Sequence, residues 1–213
     1  MYKLIIFDLD GTLADTSIGI LNCHRYANSE MGRPVTDAML EGVIGGPLLR
    51  TYKEHFGYSD DDAQRAVSIY RKRYADIGFK EALLYEGMKE MLSSLKSRGY
   101  KLAVATLKAE RFAIPMLEML GISEYFDIIH GVDDNDTRTK SSLIDMCISE
   151  LKETKETALL VGDSYHDALG ANQSGVAFVA ALYGFGFKTK SDLCEYPYVA
   201  TVSAPIELLD FLK

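Results

Sequence analysis

Five short apolar runs constrain this chain more than any other feature. They are KLIIF at 3–7, KLAVA at 101–105, DIIHG at 127–131, TALLVG at 157–162 and GVAFVAA at 175–181. Continuous apolar runs of that length suit strands covered on both faces, as in a parallel sheet. Helix-like stretches alternate with them. The stretch 87–98 ends in Lys96 and Arg98 before Gly99, 109–120 ends at Gly121, and 166–174 ends at Gly175. A basic last turn followed by glycine is a helix stop. Residues 141–151 carry apolar side chains at helical spacing. Strand–helix–strand repetition with right-handed crossovers predicts an α/β fold built on a doubly wound parallel sheet.

One segment breaks the alternation. From 15 to 82 the residues form helical patterns at 18–31, 36–43, 48–56 and 61–78, divided by GRP at 32–34, GGP at 45–47 and GYSD at 57–60. Such Gly/Pro punctuation marks turns. The expected organisation is a core made of residues 1–14 and 83–213, with an all-helical lobe, residues 15–82, inserted after the first strand.

Composition narrows the function. An apolar fraction of 47% and a charged fraction of 25% over 213 residues describe a globular chain, not a disordered one. The net charge of -8 repels phosphate backbones, so no nucleic-acid polymer is expected as a partner. Asn172, Gln173, Ser174 and four glycines interrupt the longest uncharged stretch, 169–187. It cannot supply the roughly 20 apolar residues of a membrane span. The first ten residues lack a secretory pattern, and three scattered cysteines, Cys23, Cys147 and Cys194, read as reduced thiols of a cytoplasmic protein.

The ends of the predicted strands carry the chemistry. KLIIF runs into Asp8, Asp10, Gly11 and Thr12; KLAVA into Thr106 and Lys108; TALLVG into Asp163 and Ser164, with Asp167 one turn later. Ligands of open α/β sheets bind outside the carboxyl ends of the strands, so these clusters are expected to converge. Carboxylates gathered in one place repel, and hard oxygen ligands favour Mg²⁺. Asp8 and Asp10, two apart, point to one side of an extended chain. Thr106 offers a hydroxyl and a backbone N–H to a phosphate oxygen, and a nearby lysine neutralises a transferring phosphoryl group. These roles fit transfer through an aspartyl phosphate.

Four ordered motifs, F-D-L-D-G-T at 7–12, A-T at 105–106, a lysine at 140 and G-D-S-Y-H-D at 162–167, resemble those of the haloacid dehalogenase superfamily. The subgroup resembled is the phosphoglycolate phosphatase-like one, with a Rossmann-like core and a helical cap inserted after the first motif. The resemblance implies that Asp8 is the nucleophile and a Mg²⁺ ligand. It implies that Asp10 is the general acid and then base, lending its backbone carbonyl to the metal. Asp163 would ligate Mg²⁺ with support from Asp167. Thr106 and Lys140 would hold the phosphoryl group, with Gly11 and Leu107 lining the same phosphate site. Family members that dehalogenate lack an aspartate two residues after the nucleophile, so Asp10 argues for phosphatase or phosphomutase.

The implied activity is a Mg²⁺-dependent phosphatase acting on a small-molecule phosphate ester of phosphoglycolate or nucleotide type, in a monomer or homodimer. The alternatives are a phosphomutase or other phosphotransferase, and a non-catalytic ligand-binding member. Departures from the family pattern leave Lys108 or Arg138 as stand-ins for Lys140. Arg50, in the GGPLLR run at 45–50, is the candidate for a substrate carboxylate or second phosphate. Plainer readings apply elsewhere. Tyr70 and Tyr74 read as lobe packing, and His166 as an exposed helix residue. Asp133, Asp134 and Asp136 lack EF-hand spacing and read as a solvated loop. The plainer reading of Asp167 is a first-turn helix residue that complements the helix dipole. For Gly184, Phe185 and Gly186, a mobile loop beside the site is one reading that the sequence leaves open.

Overall fold

Leu4–Phe7 (β1) is buried along its whole length, and its two-sided burial follows from its place in the sheet. The computed structural model describes residues 1–133 and 137–213. Six strands form a parallel sheet in the order Ile128–Val132 (β5), Lys101–Ala109 (β4), β1, Ala158–Gly162 (β6), Ala177–Ala181 (β7) and Ala200–Val202 (β8). β1 pairs with β4 and β6, Phe7 lying in register with both Val104 and Val161. One residue past that register, Asp8, Ala105 and Gly162 reach the carboxyl edge together.

The connecting helices are Met88–Ser97 (α4), Glu110–Met119 (α5), Lys140–Glu150 (α6) and Tyr165–Ser174 (α7), with Leu208–Phe211 (α8) near the end. Leu4 and Ile6 share a buried cluster with Leu143, Ile144 and Cys147 of α6 and Ala168 of α7. Phe7, which alternation turns to the other face, meets Phe126 edge-on at 6.3 Å. Two short strands, Ala14–Asp15 (β2) and Leu83–Leu84 (β3), pair antiparallel where the chain leaves and re-enters the sheet unit. Each was too short to read from sequence.

Contacts divide the chain into one unit of Met1–Asp15 with Leu83–Lys213 and another of Thr16–Ala82. The second is helical: Ser17–Glu30 (α1), Leu48–Arg50 (α2) and Asp60–Asp76 (α3), joined by short turns. The helix expected at 36–43 is only a 3-10 turn, Asp37–Leu40, because Gly42 follows at φ +76° and Leu40 and Val43 are its buried apolar anchors. The pattern at 48–56 is helical as expected: α2 runs on through Thr51–His55 as a wider π-helical turn, closed by Phe56 N donating to Thr51 O at 3.1 Å. Tyr70 and Tyr74 stack at 5.9 Å inside this unit.

His24 lies fully buried there, its ring against Tyr52, Phe56 and Tyr70. Its Nδ1 is 3.2 Å from the Tyr52 hydroxyl, while Nε2 has no hydrogen-bond partner among the described residues. Arg73 forks onto Glu81 at 2.9 and 3.1 Å, and the Glu81 carbonyl accepts Gly19 N at 3.1 Å. No described helix is long and apolar enough to cross a membrane.

Candidate active site

The chain turns sharply after Asp8. Leu9 O accepts the backbone N–H of Thr12, Leu13 and Ala14, and Gly11 N donates to Ala14 O at 2.9 Å. Gly11 holds φ +80°, a conformation that costs a residue with a side chain. The turn carries Asp10 and brings the Thr12 hydroxyl to Asp163 Oδ1 at 3.3 Å.

Lys140 enters from the first turn of α6, whose start is fixed by a capping box between Thr139 and Ser142. α7 passes so close at Gly170 that a Cβ there would come within 2.5 Å of Lys140 Cγ. The lysine stem is thereby buried, and its Nζ lies 2.6 Å from Asp8 Oδ1, Asp167 Oδ1 and Ala105 O. Asp167 serves two purposes: its Oδ2 accepts Ser164 N at 3.0 Å and Ser164 Oγ at 2.6 Å, capping α7. Its helix-start role and its place in the site are therefore the same arrangement.

Asp163 Oδ2 accepts backbone N–H from Phe185 at 2.6 Å and Gly186 at 3.0 Å. A Cβ on Gly11 or Gly184 would collide with the Asp163 carboxylate, and one on Gly186 would come within 2.6 Å of Asp163 O. The Gly184–Phe185–Gly186 segment is thus packed onto Asp163, and glycine is there because backbone must approach a carboxylate. Tyr183 ties the same loop to the first turn by donating to Thr12 O at 2.9 Å. The sequence reading overlooked these contributions from Thr12, Tyr183 and the loop backbone. The pattern that carries them is G-F-G shortly after a buried strand.

Asp8, Asp163 and Asp167 each present an oxygen within 4.8 Å of the others, all three residues buried. Burial, opposed by Lys140 and reinforced by Asp167, Asp163 and Asp10, pushes the Asp8 carboxyl up to about 7. Burial and Asp167 push Asp163 up to about 6, against hydrogen bonds from Gly186, Phe185 and Thr12. Burial disfavours the Lys140 charge, yet Asp167 and Asp8 outweigh it and hold the ammonium above its usual range. With Asp10 paired to Lys108 at 2.9 Å, the four carboxylates and two ammonium groups leave two negative charges when all are ionised. A hard divalent cation fits that oxygen-rich, doubly negative set.

Thr106 is buried at the end of the regular part of β4, its Oγ1 accepting Lys108 N at 3.2 Å, which leaves the O–H to donate. Leu107 is an exposed neighbour. Arg138 is spent on Glu110 at 3.1 Å and Gly131 O at 3.0 Å, so among the described residues Lys140 is the cation that reaches Asp8. Arg50 belongs to the helical unit and pairs with Glu54 at 2.7 Å on an exposed face. His166, expected to be exposed, is half-buried with its ring 3.8 Å from that of Tyr165. Of the calcium-like run, Asp133 accepts Thr137 N and Oγ1 at 2.8 and 2.7 Å; Asp134 and Asp136 lie outside the described residues.

Comparison with known proteins matches residues 5–181 to the profile described as haloacid dehalogenase-like hydrolase. A 5'-nucleotidase of Pseudomonas aeruginosa is 37% identical over 187 residues, covering 87% of this chain and 85% of its own. A protein of Mycobacterium tuberculosis named tyrosine-protein kinase PtkA is 33% identical, covering 97% of this chain and 72% of its own. A solved haloacid dehalogenase-like hydrolase of Streptococcus pneumoniae superposes with TM-score 0.90 at 34% identity, covering 100% of this chain and 99% of its own.

Proposed function

Since the chain belongs to the haloacid dehalogenase-like hydrolase family and its class is that of a phosphatase, we propose that it hydrolyses small-molecule phosphate monoesters through an aspartyl phosphate on Asp8. The observation that carries this reading is Lys140, buried with its ammonium 2.6 Å from both Asp8 and Asp167. A lysine so placed orients one carboxylate oxygen and offers positive charge where phosphoryl oxygens gather.

In the proposed sequence, an Asp8 oxygen attacks phosphorus and the ester P–O bond breaks. Asp10 gives its proton to the departing oxygen. Asp10 then takes a proton from water, which attacks the aspartyl phosphate and releases phosphate and free Asp8. The Thr106 hydroxyl donates to a phosphoryl oxygen throughout, and the backbone at Gly11 and Leu107 lines the same position. Asp8, Asp163, Asp167 and the Asp10 carbonyl would hold Mg²⁺, directly or through water; when bound, the ion lowers the Asp8 carboxyl toward its ionised form and screens the phosphate charge.

Residues 15–82 are proposed as the cap that sets substrate choice. A nucleotide-type ester is favoured by the Pseudomonas relative, and free cysteines support a cytoplasmic setting. The test is a panel of metabolite phosphates assayed with Mg²⁺, with EDTA, and with Asp8→Asn. Turnover should be confined to wild type with Mg²⁺; turnover that survives both chelator and substitution would rule the mechanism out. A second reading, transfer to a hydroxyl other than water, draws on the Mycobacterium relative's name. Trapping a phosphorylated acceptor in place of free phosphate decides between them.

A further inference from the structure

β4 is irregular where it reaches the site. Four residue steps along β4, from Ala105 to Ala109, match only two along β5, from His130 to Val132. Thr106, Leu107 and Lys108 therefore bulge from the sheet. Such bulges re-aim side chains next to active sites. This one is held from beneath: a Cβ on Gly131 would lie 2.5 Å from Lys108 O and 2.7 Å from Glu110 N. Glu110 accepts Gly131 N at 3.1 Å and Arg138 at 3.1 Å, and Arg138 also donates to Gly131 O at 3.0 Å. The bulge is a braced feature.

Its product is a second buried lysine. The Lys108 side chain is only 7% exposed, and Nζ lies 2.9 Å from Asp10 Oδ1. A surface lysine keeps its stem mobile and its head in water, because ordering it costs rotamer entropy. Here both are given up beside the Asp10 carboxylate. Lys140 holds Asp8 and Asp167; Lys108 holds Asp10.

We propose that Lys108 is a positioning residue for the reaction, holding the Asp10 carboxyl in the orientation from which it serves the leaving oxygen. This rests on the proposed role of Asp10. As the ester P–O bond breaks, its electron pair goes to the leaving oxygen and the Asp10 proton follows. Asp10 is left as a carboxylate, and the Lys108 ammonium is already beside it. Lys108 is placed to pair with the carboxylate that proton transfer leaves on Asp10, so its contribution falls on the chemical step.

The experiment compares kcat/KM of the Mg²⁺-loaded enzyme for glycerol 2-phosphate, a poor leaving group, and p-nitrophenyl phosphate, a good one. Lys108→Met is expected to lower the glycerol ester's value about a hundredfold and the nitrophenyl ester's less than about fivefold, since only the first needs the proton. Lys108→Arg should recover most of the loss. Lys108→Met added to Asp10→Asn should cost nothing further on the glycerol ester. If Lys108→Met does not fold, Lys108→Gln takes its place. Equal losses on both esters, or a loss additive with Asp10→Asn, would overturn the proposal. Should Asp10→Asn itself treat the two esters alike, the acid role fails first; discrimination by Asp10→Asn without discrimination by Lys108→Met refutes the lysine's role alone.

Discussion

His24 gives the helical unit a built-in sensitivity to acid. Its ring is fully buried, packed among aromatic rings, and Nε2 lacks an acceptor among the described residues. Burial, with a smaller contribution from His55, lowers its pKa from 6.5 to about 4. The unfolded chain therefore binds the proton first. Stability from this residue is intact above the unfolded pKa and drains away as pH falls from 6.5 toward 4. At 1.36 kcal/mol per pH unit the full loss is about 3 kcal/mol, of which about 2 kcal/mol is gone at pH 5. In a chain of this size that is roughly 4–8 °C in Tm. The assay is urea denaturation of wild type and His24→Leu from pH 7.5 to pH 5. The variant starts less stable, having lost its Tyr52 contact, but its stability should fall by about 2 kcal/mol less over that range. Comparing the two removes the titration of every other group. Parallel pH profiles would refute the reasoning.

Three further outcomes follow from the geometry. Gly184→Ala should displace Asp163 and cost about 1–3 kcal/mol as an overpacked site, with Mg²⁺ affinity, read by isothermal titration, falling further than stability does. Mg²⁺ should raise the Tm of wild type, since an ion that binds only the folded chain stabilises it; Asp163→Asn should abolish that rise, and an undiminished rise would place the ion elsewhere. Arg50→Ala breaks an exposed pair with Glu54, so it should change stability by less than about 0.5 kcal/mol. A raised KM confined to esters with a second anionic group would assign it to substrate.

Strands β1, β4, β5, β6 and β7 were legible because each carries a short apolar run, the signature of two-sided burial, although β4 continues past its run through Thr106 and Lys108. β8 was not, since Ala200–Val202 is three residues between exposed Val199 and exposed Ser203. Asp8, Asp10 and Asp163 stood out as acids ending strands, where no packing argument wants them. Which lysine meets which acid was beyond the sequence. Lys108 and Lys140 both looked able to reach Asp8, and only the bulge in β4 and the close passage of α7 at Gly170 separate their partners. The Gly184–Gly186 loop had the composition of a mobile turn, because the same residues that permit flexibility also permit backbone to press against a carboxylate.

The strand order carries a consequence for synthesis. β1 is made first yet lies between β4 and β6, so its second neighbour, starting at Ala158, leaves the ribosome about 150 residues later. At about 5–20 residues per second that is roughly 8–30 s during which an apolar strand waits with an unpaired edge. Nascent chains stopped short of Ala158 should be captured by hydrophobic-binding chaperones, and chains extended past Ala181 should be released.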